Sequence, residues 1–241
     1  MKNKHGLQRR IPEDVKALVR ERSAFGCVVC GSIPYEYDHL RTPWAEAKFH
    51  DPEDIVLLCD RCHKLKGCML PIETIEKYRQ NRLAADSETR FKILTTSADF
   101  SIDWCGNLIQ ASRNSIVVDE EPILELTPSE NDLEPILISG TFRDQSGRAI
   151  CKISRNEIVA KARMLGDFTL VSNRFSFTDT SGQVALRFQL TSSNIVVDRI
   201  FHTKQDAFVF GADEQLLVGN LGRSALHSKC EFYDADLAPL K

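Results

Sequence analysis

The stretch CVVCGSIPYEYDHLRTPWAEAKFHDPEDIVLLCDRCHKLK, residues 27–66, opens on one pair of cysteines and closes just past another. Cys27 and Cys30 make the first C-x-x-C pair, Cys59 and Cys62 the second, and Cys59 lies 29 positions after Cys30. Each pair can set two thiolates on one small turn, and Gly26 and Gly31 around the first favour such a turn. Four thiolates match the tetrahedral preference of zinc. A segment of this size has too little apolar core to hold itself together, so a structural Zn²⁺ would supply folding free energy directly.

Between the pairs lies Tyr35-Glu36-Tyr37-Asp38-His39-Leu40. Neighbours on an extended chain point to opposite faces, so Asp38 and His39 suit different roles. Asp38 offers a hard oxygen to a divalent metal. His39 has the side chain whose ordinary pKa suits proton exchange with water near neutrality. Taken alone, the two read equally well as a surface pair. His63 leaves the second knuckle directly after Cys62, where it serves either a second, catalytic metal or the zinc site, which already has four thiolates. Lys66, one helical turn beyond His63, is placed to meet a phosphate.

Together, Cys27-x-x-Cys30, Glu36-x-Asp38-His39, Asp54-Ile55-Val56-Leu57-Leu58-Cys59 and Cys62-His63-x-x-Lys66 resemble the HNH endonuclease family, in its subgroup with four zinc cysteines. The resemblance covers residues 9–83. It implies a ββα-metal site in which a hairpin presents Asp38 and His39 and a helix presents His63. His39 resembles the base that activates water, Asp38 a metal ligand and His63 the second metal-binding residue. The catalytic divalent ion would be Mg²⁺, with Mn²⁺ or Ni²⁺ as alternatives. The family usually has asparagine five residues before its third cysteine. Here that position is Asp54, which can still orient the loop by hydrogen bonding but adds a charge and lacks an amide donor. The implied activity is hydrolysis of DNA phosphodiester bonds, in restriction or anti-phage defence, with RNA left open. Arg41, Arg61, Lys64 and Lys66 are the candidate phosphate contacts, although Arg61 and Lys64 read almost as readily as solvated charge.

Hydrophobic residues make up 42% and charged residues 27% of the 241, an ordinary soluble composition. No run approaches the roughly 18 apolar residues of a membrane span, and the polar start from Met1 to Arg10 has no signal-peptide core. A cytoplasmic protein without a membrane partner is therefore expected. In a reducing compartment the paired cysteines favour a metal over disulfides, while Cys68, Cys105, Cys151 and Cys230 show no ligand spacing. Residues 1–92 carry 17 Lys/Arg against 14 Asp/Glu, and the remainder 14 against 20. Only the first part suits a polyanion, and only modestly.

The fold class expected is α+β: a small zinc-stabilised ββα-metal domain over residues 1–92, then a β-rich domain over 93–241. In the first, residues 12–22 read as a helix, 33–40 as extended, Ile55 to Leu58 as a buried strand, and helices begin near His63 and after Pro71. His50, after Phe49 and before the Asp51-Pro52 turn, could approach the site but reads more readily as a satisfied loop histidine, and Trp44 and Trp104 read as packing residues. Past residue 92, strand-length runs such as Ile136 to Ile138, Phe168 to Val171 and Ile195 to Ile200 alternate with turn signals, with a possible helical turn from Glu157 to Arg163. FRDQSGRAICKISRNEIV from Phe142 has a counterpart in FTDTSGQVALRFQLTSSNIVV from Phe177, and a fainter one from Phe100 through Ser112 and Arg113. These are either repeated multi-strand units, in a sandwich or a parallel coil, or chance likeness between hairpins, since Asp-x-Ser-Gly is a common turn.

Two further function classes fit the sequence. One is a zinc-dependent module that binds nucleic acid without cutting it. The other is an interaction protein whose β-rich domain forms a homodimer or docks a partner protein.

Overall fold

The structure, a computed structural model, describes residues 1–84, 87–93, 101–104, 107–110, 114–118, 121–131, 135–144, 146–191, 193–204, 207–212, 215–220, 223–228 and 232–233, with side chains outside 104–122 and 202–241. Phe100, Cys105, Ser112, Arg113 and Cys230 lie outside the described residues, and Trp104 is described in backbone only. The chain divides into two compact units, Met1–Phe91 with Lys161–Arg163, and Lys92–Ala160 with Met164–Lys241. Among the described residues no helix is long and apolar enough to cross a membrane.

In the first unit, Pro12 precedes α1 (Glu13–Arg22), with Glu13 and Asp14 in its first turn and Arg20 and Arg22 in its last, the charge order a helix dipole favours. Arg20 is buried, and its Nη1 donates to Glu13 Oε1 at 2.8 Å and to the Tyr37 hydroxyl at 2.9 Å. β1 (Glu36–His39) pairs antiparallel with β2 (Ile55–Leu58), Asp38 opposite Val56 and His39 opposite Ile55. Both faces of β2 are covered. Ile55 and Leu57 join Ile11 and Val19, while Val56 and Leu58 join Cys27, Val28, Cys62 and Ile75. Two-sided burial is why this short strand is apolar without alternation. α2 (Asp60–Leu65) begins earlier than the start expected near His63, because Cys59 itself is the N-cap residue. α3 (Ile72–Ala84) follows Pro71, and then β3 (Glu88–Lys92), whose Arg90 bridges to Ser32.

The second unit is built from β4 (Ser101–Trp104), β5 (Asn107–Gln110), β6 (Asn114–Val118), β7 (Glu121–Pro128), β8 (Ile136–Arg143), β9 (Ala149–Ser154), β10 (Glu157–Lys161), β11 (Leu165–Val171), β12 (Arg174–Asp179), β13 (Val184–Leu190), β14 (Asn194–Lys204), β15 (Ala207–Ala212), β16 (Gln215–Asn220) and β17 (Arg223–Ser228). β6 to β10 form one antiparallel meander and β11 to β17 another. β8 and β9 approach β12, β13 and β14, so the two sheets lie face to face. Phe168, Phe175, Phe177 and Phe188 form a buried ring cluster, with Phe175 and Phe188 stacked at 4.8 Å. The helical turn expected over Glu157 to Arg163 is instead mostly strand. β10 pairs with β9 across a turn in which Arg155 and Asn156 take φ of 47° and 71°, and only Ala162–Met164 is a 3₁₀ turn.

The likeness between the runs from Phe142 and Phe177 has a structural counterpart. Asp144 Oδ1 accepts from the Ser146 N–H, the Ser146 hydroxyl and the Arg148 N–H at 2.9, 2.7 and 3.0 Å. Asp179 Oδ1 accepts from the Ser181 N–H, the Ser181 hydroxyl and the Gln183 N–H at 2.9, 2.6 and 3.0 Å. Gly147 and Gly182 close the two turns at φ of 77° and 84°. What the two runs share is this hairpin turn, each within an antiparallel meander rather than a parallel coil, which fits repeated units and likeness between hairpins alike.

Candidate functional site

Cys27, Cys30, Cys59 and Cys62 bring their sulfurs within 4.8 Å of one another, a group that could hold a metal ion. The first knuckle closes with Gly31 N–H donating to Cys27 O at 2.7 Å and Cys27 N–H to Ser32 O at 3.1 Å. A Cβ at Gly26 would lie 2.7 Å from Gly31 O, so the turn's tightness requires glycine there. The Cys30 sulfur lies 3.7 Å from Cys59 and 3.9 Å from Cys62. Ligands about 2.3 Å from a tetrahedral zinc stand about 3.8 Å apart, so these thiols fit that ion. Burial pushes the Cys27 and Cys62 thiols up. Burial acts in the same direction on Cys30, but hydrogen bonds with Ser32 outweigh it and bring that thiol down to about 7. His63 is not a member of the group.

Beside this frame, β1 and α2 line a cleft of about 530 Å³ that Asp38, His39, His63, Lys66, Arg9 and Trp44 help to form. Residues two apart on a strand share a face, and Glu36 and Asp38 both turn toward His63. His63 Nδ1 lies 3.4 Å from Glu36 Oε2, and His63 Nε2 lies 3.2 Å from Asp38 Oδ1. Each imidazole nitrogen thus faces a carboxylate oxygen, and on the Asp38 side a cation could be shared between the ring nitrogen and the carboxylate.

His39, the next residue on β1, lines the same cleft. Its Nε2 is buried and has no hydrogen-bond partner among the described residues. Burial lowers its pKa, the nearby His50 lowers it further, and Asp54 and Asp38 offset part of the effect. The imidazole is accordingly neutral at neutral pH, with a lone pair able to accept a proton. His50 is a buried loop histidine with its Nε2 2.9 Å from Gln8 O, and its ring centroid is 5.5 Å from that of His39.

Asp54 does not face the ion position between Asp38 and His63. Its Oδ1 accepts from the Arg41 N–H at 2.8 Å and its Oδ2 from the Thr42 N–H at 2.9 Å, while its carbonyl accepts from the Leu40 N–H at 2.6 Å. The carboxylate thereby pins the chain directly after His39. Lys66 has partners other than solvent. α2 ends at Leu65, and the Lys66 ammonium donates to His39 O at 2.8 Å and forms an ion pair with Asp38 Oδ2 at 2.5 Å, without hydrogen-bonding geometry at that oxygen. Arg41 lines the cleft and pairs with Glu76. Lys64 is exposed and pairs with Asp60 at 2.7 Å, and Arg61 is exposed on α2. Trp44 donates from Nε1 to Gln8 O at 3.3 Å under the Arg9 guanidinium, so it packs while also lining the cleft.

Glu36 and His50 are the site residues that the sequence left without a role. The Glu36-x-Asp38 spacing carried a signal for the first, since period two on a strand predicts a shared face. His50, whose place before the Asp51-Pro52 turn allowed it to approach the site, is both a satisfied loop histidine bonded to Gln8 O and a neighbour of His39. Comparison with protein-family models, curated proteins and solved structures finds no match for this chain.

Proposed function

We propose that the first unit is a metal-dependent endonuclease of the HNH type, hydrolysing phosphodiester bonds of DNA, with zinc on the four cysteines as its frame. One observation carries the reading. Asp38 Oδ1 and His63 Nε2 stand 3.2 Å apart across a cleft whose neighbouring strand residue, His39, is a histidine with its pKa lowered by burial. An oxygen and a nitrogen at that distance suit adjacent positions on one small divalent ion, since ligands about 2.1 Å from an octahedral ion at right angles lie about 3.0 Å apart. Mg²⁺, or Mn²⁺ or Ni²⁺, would supply Lewis-acid stabilisation of charge on the phosphate.

The chain's own residues do the rest. Glu36 orients His63, Lys66 holds the His39 carbonyl and Asp54 the chain that follows it, and His39 accepts the proton of the attacking water. Arg9 and Arg41 at the cleft present positive charge to the phosphate backbone. A role in restriction or defence, with the acidic β-rich unit selecting a target or partner, extends the same proposal.

The test incubates the full chain with supercoiled plasmid and with single-stranded RNA, in Mg²⁺, Mn²⁺ and Ni²⁺. Metal-dependent cleavage of the plasmid is expected, reduced about 10²–10⁴-fold in His39→Ala, the usual contribution of a general base. Absence of cleavage with every metal, or a His39→Ala variant as active as the parent, would overturn the proposal.

A further inference from the structure

Lys66 sits where an incoming cation would feel it most. Its ammonium lies 2.5 Å from Asp38 Oδ2, on the same carboxylate whose Oδ1 faces His63. The side chain is 22% exposed and that of Asp38 14%, so water screens the pair only in part. Asp38 is thus already neutralised by an internal cation. Glu36, the other carboxylate at His63, is turned to the far nitrogen of the ring. What faces the ion position is one compensated carboxylate and one imidazole nitrogen, a weak donor set for a hard divalent ion, which is ordinarily held by one or two free carboxylates together with substrate phosphates.

Resting on the endonuclease reading, we infer that the catalytic ion and the nucleic acid bind together. Lys66 lowers the affinity of the Asp38–His63 site for a divalent ion until a phosphate brings the missing negative charge. The hydrogen bond from Lys66 to His39 O ties the same ammonium to the candidate base, so the cation stays in place when the ion arrives. The site would remain largely empty of divalent ion in the absence of a polyanion.

The experiment measures Mn²⁺ binding by calorimetry and by loss of the free-ion electron-spin signal, on the zinc-loaded full chain in a His39→Ala background so that duplex is consumed about 10²–10⁴-fold more slowly. Mn²⁺ is the weakest binder of the first-row divalent metals and leaves zinc on its thiolates. Binding is compared with and without a short DNA duplex, in the Lys66 parent, Lys66→Met, Lys66→Arg and Asp38→Asn. Zinc content and circular dichroism check that each variant folds. Expected are at least a tenfold gain in Mn²⁺ affinity for the parent when duplex is added, and at least a tenfold tighter duplex-free affinity in Lys66→Met, the scale of one unit charge acting on a divalent ion. Lys66→Arg keeps the charge and should behave as the parent. Lys66→Met binding Mn²⁺ no more tightly than Lys66→Arg, or a parent affinity indifferent to duplex, overturns the inference while leaving the metal site standing. Binding that Asp38→Asn leaves unchanged in every condition overturns both the inference and the endonuclease reading beneath it.

Discussion

Asp54 shows how one atom changes a residue's work. Both of its carboxylate oxygens are occupied, each by one main-chain N–H of the loop that follows His39. An asparagine at this position would keep one acceptor and turn an NH₂ group toward the second N–H. Asp54→Asn, although it restores the residue the HNH family usually carries, is therefore expected to destabilise the chain by about 1 kcal/mol, the net value of a lost hydrogen bond, and to lower cleavage rather than raise it. Urea unfolding with plasmid cleavage checks this, and a stabilised or more active Asp54→Asn would refute it. The residue types of the site were readable: a hard oxygen at Asp38, a titrating ring at His39, and a ring at His63 fixed by its neighbouring cysteine. The pairing of each charge was not. Lys66 looked like a free cation for phosphate because sequence distance says nothing of Asp38, which reaches it only through the β1–α2 packing.

At the scale of elements, the same logic governs what was legible. The run Ile55 to Leu58 and the Pro12-to-Arg22 pattern hold their identity locally, and both appear as α1 and β2. Glu157 to Lys161 does not, because its strand form depends on β9 alongside it. The Asp-x-Ser-Gly turns sit between these extremes: the turn itself is local, and the strands it joins are set by the sheet. In the β8–β9 turn, burial would raise the Asp144 carboxyl, but the Ser146 hydroxyl, the Arg148 N–H and the Arg148 guanidinium outweigh burial and hold it below the usual range. A folded pKa below the unfolded value contributes stability that is complete above the unfolded pKa, near 4, and is lost as pH falls through the folded value. Asp144→Asn keeps the Oδ1 acceptor but loses the contact of Oδ2 with Arg148, at 2.8 Å to Nη2 and 3.0 Å to Nε. A loss of about 1–2 kcal/mol is expected at pH 7, closing as pH falls below about 4. Urea denaturation of the β-sheet signal at several pH values measures it, and a difference independent of pH would count against the charge as its cause.

At the scale of the whole molecule, the two units rest on different kinds of core. In the second, Phe142, Phe168, Phe175, Phe177 and Phe188 are each buried to 2% exposure or less, and the only described cysteine is Cys151, a buried thiol apart from the four-cysteine group. In the first, Cys27 and Cys62 are themselves core residues, packed with Val28, Leu40, Val56, Leu58 and Ile75. Without an ion, four thiols packed this closely lose what draws them together, and the small cluster built on them loses two of its members. Removal of metal should therefore act on one unit and not the other. Hydrogen exchange read by mass spectrometry on the full chain, before and after a strong chelator, is expected to show amides of β2 and α2 losing protection by at least about 100-fold, while those of β12 and β13 keep theirs. Zinc added back should restore the lost protection. Equal loss in both units would mean that they unfold as one, and protection unchanged in β2 would mean that the cysteine cluster is an ornament on a core stable without it. Because β2 carries the hydrogen bonds that set the register of Asp38 and His39, the same chelation should abolish cleavage even in excess Mg²⁺, which has little affinity for thiolates and cannot rebuild the frame.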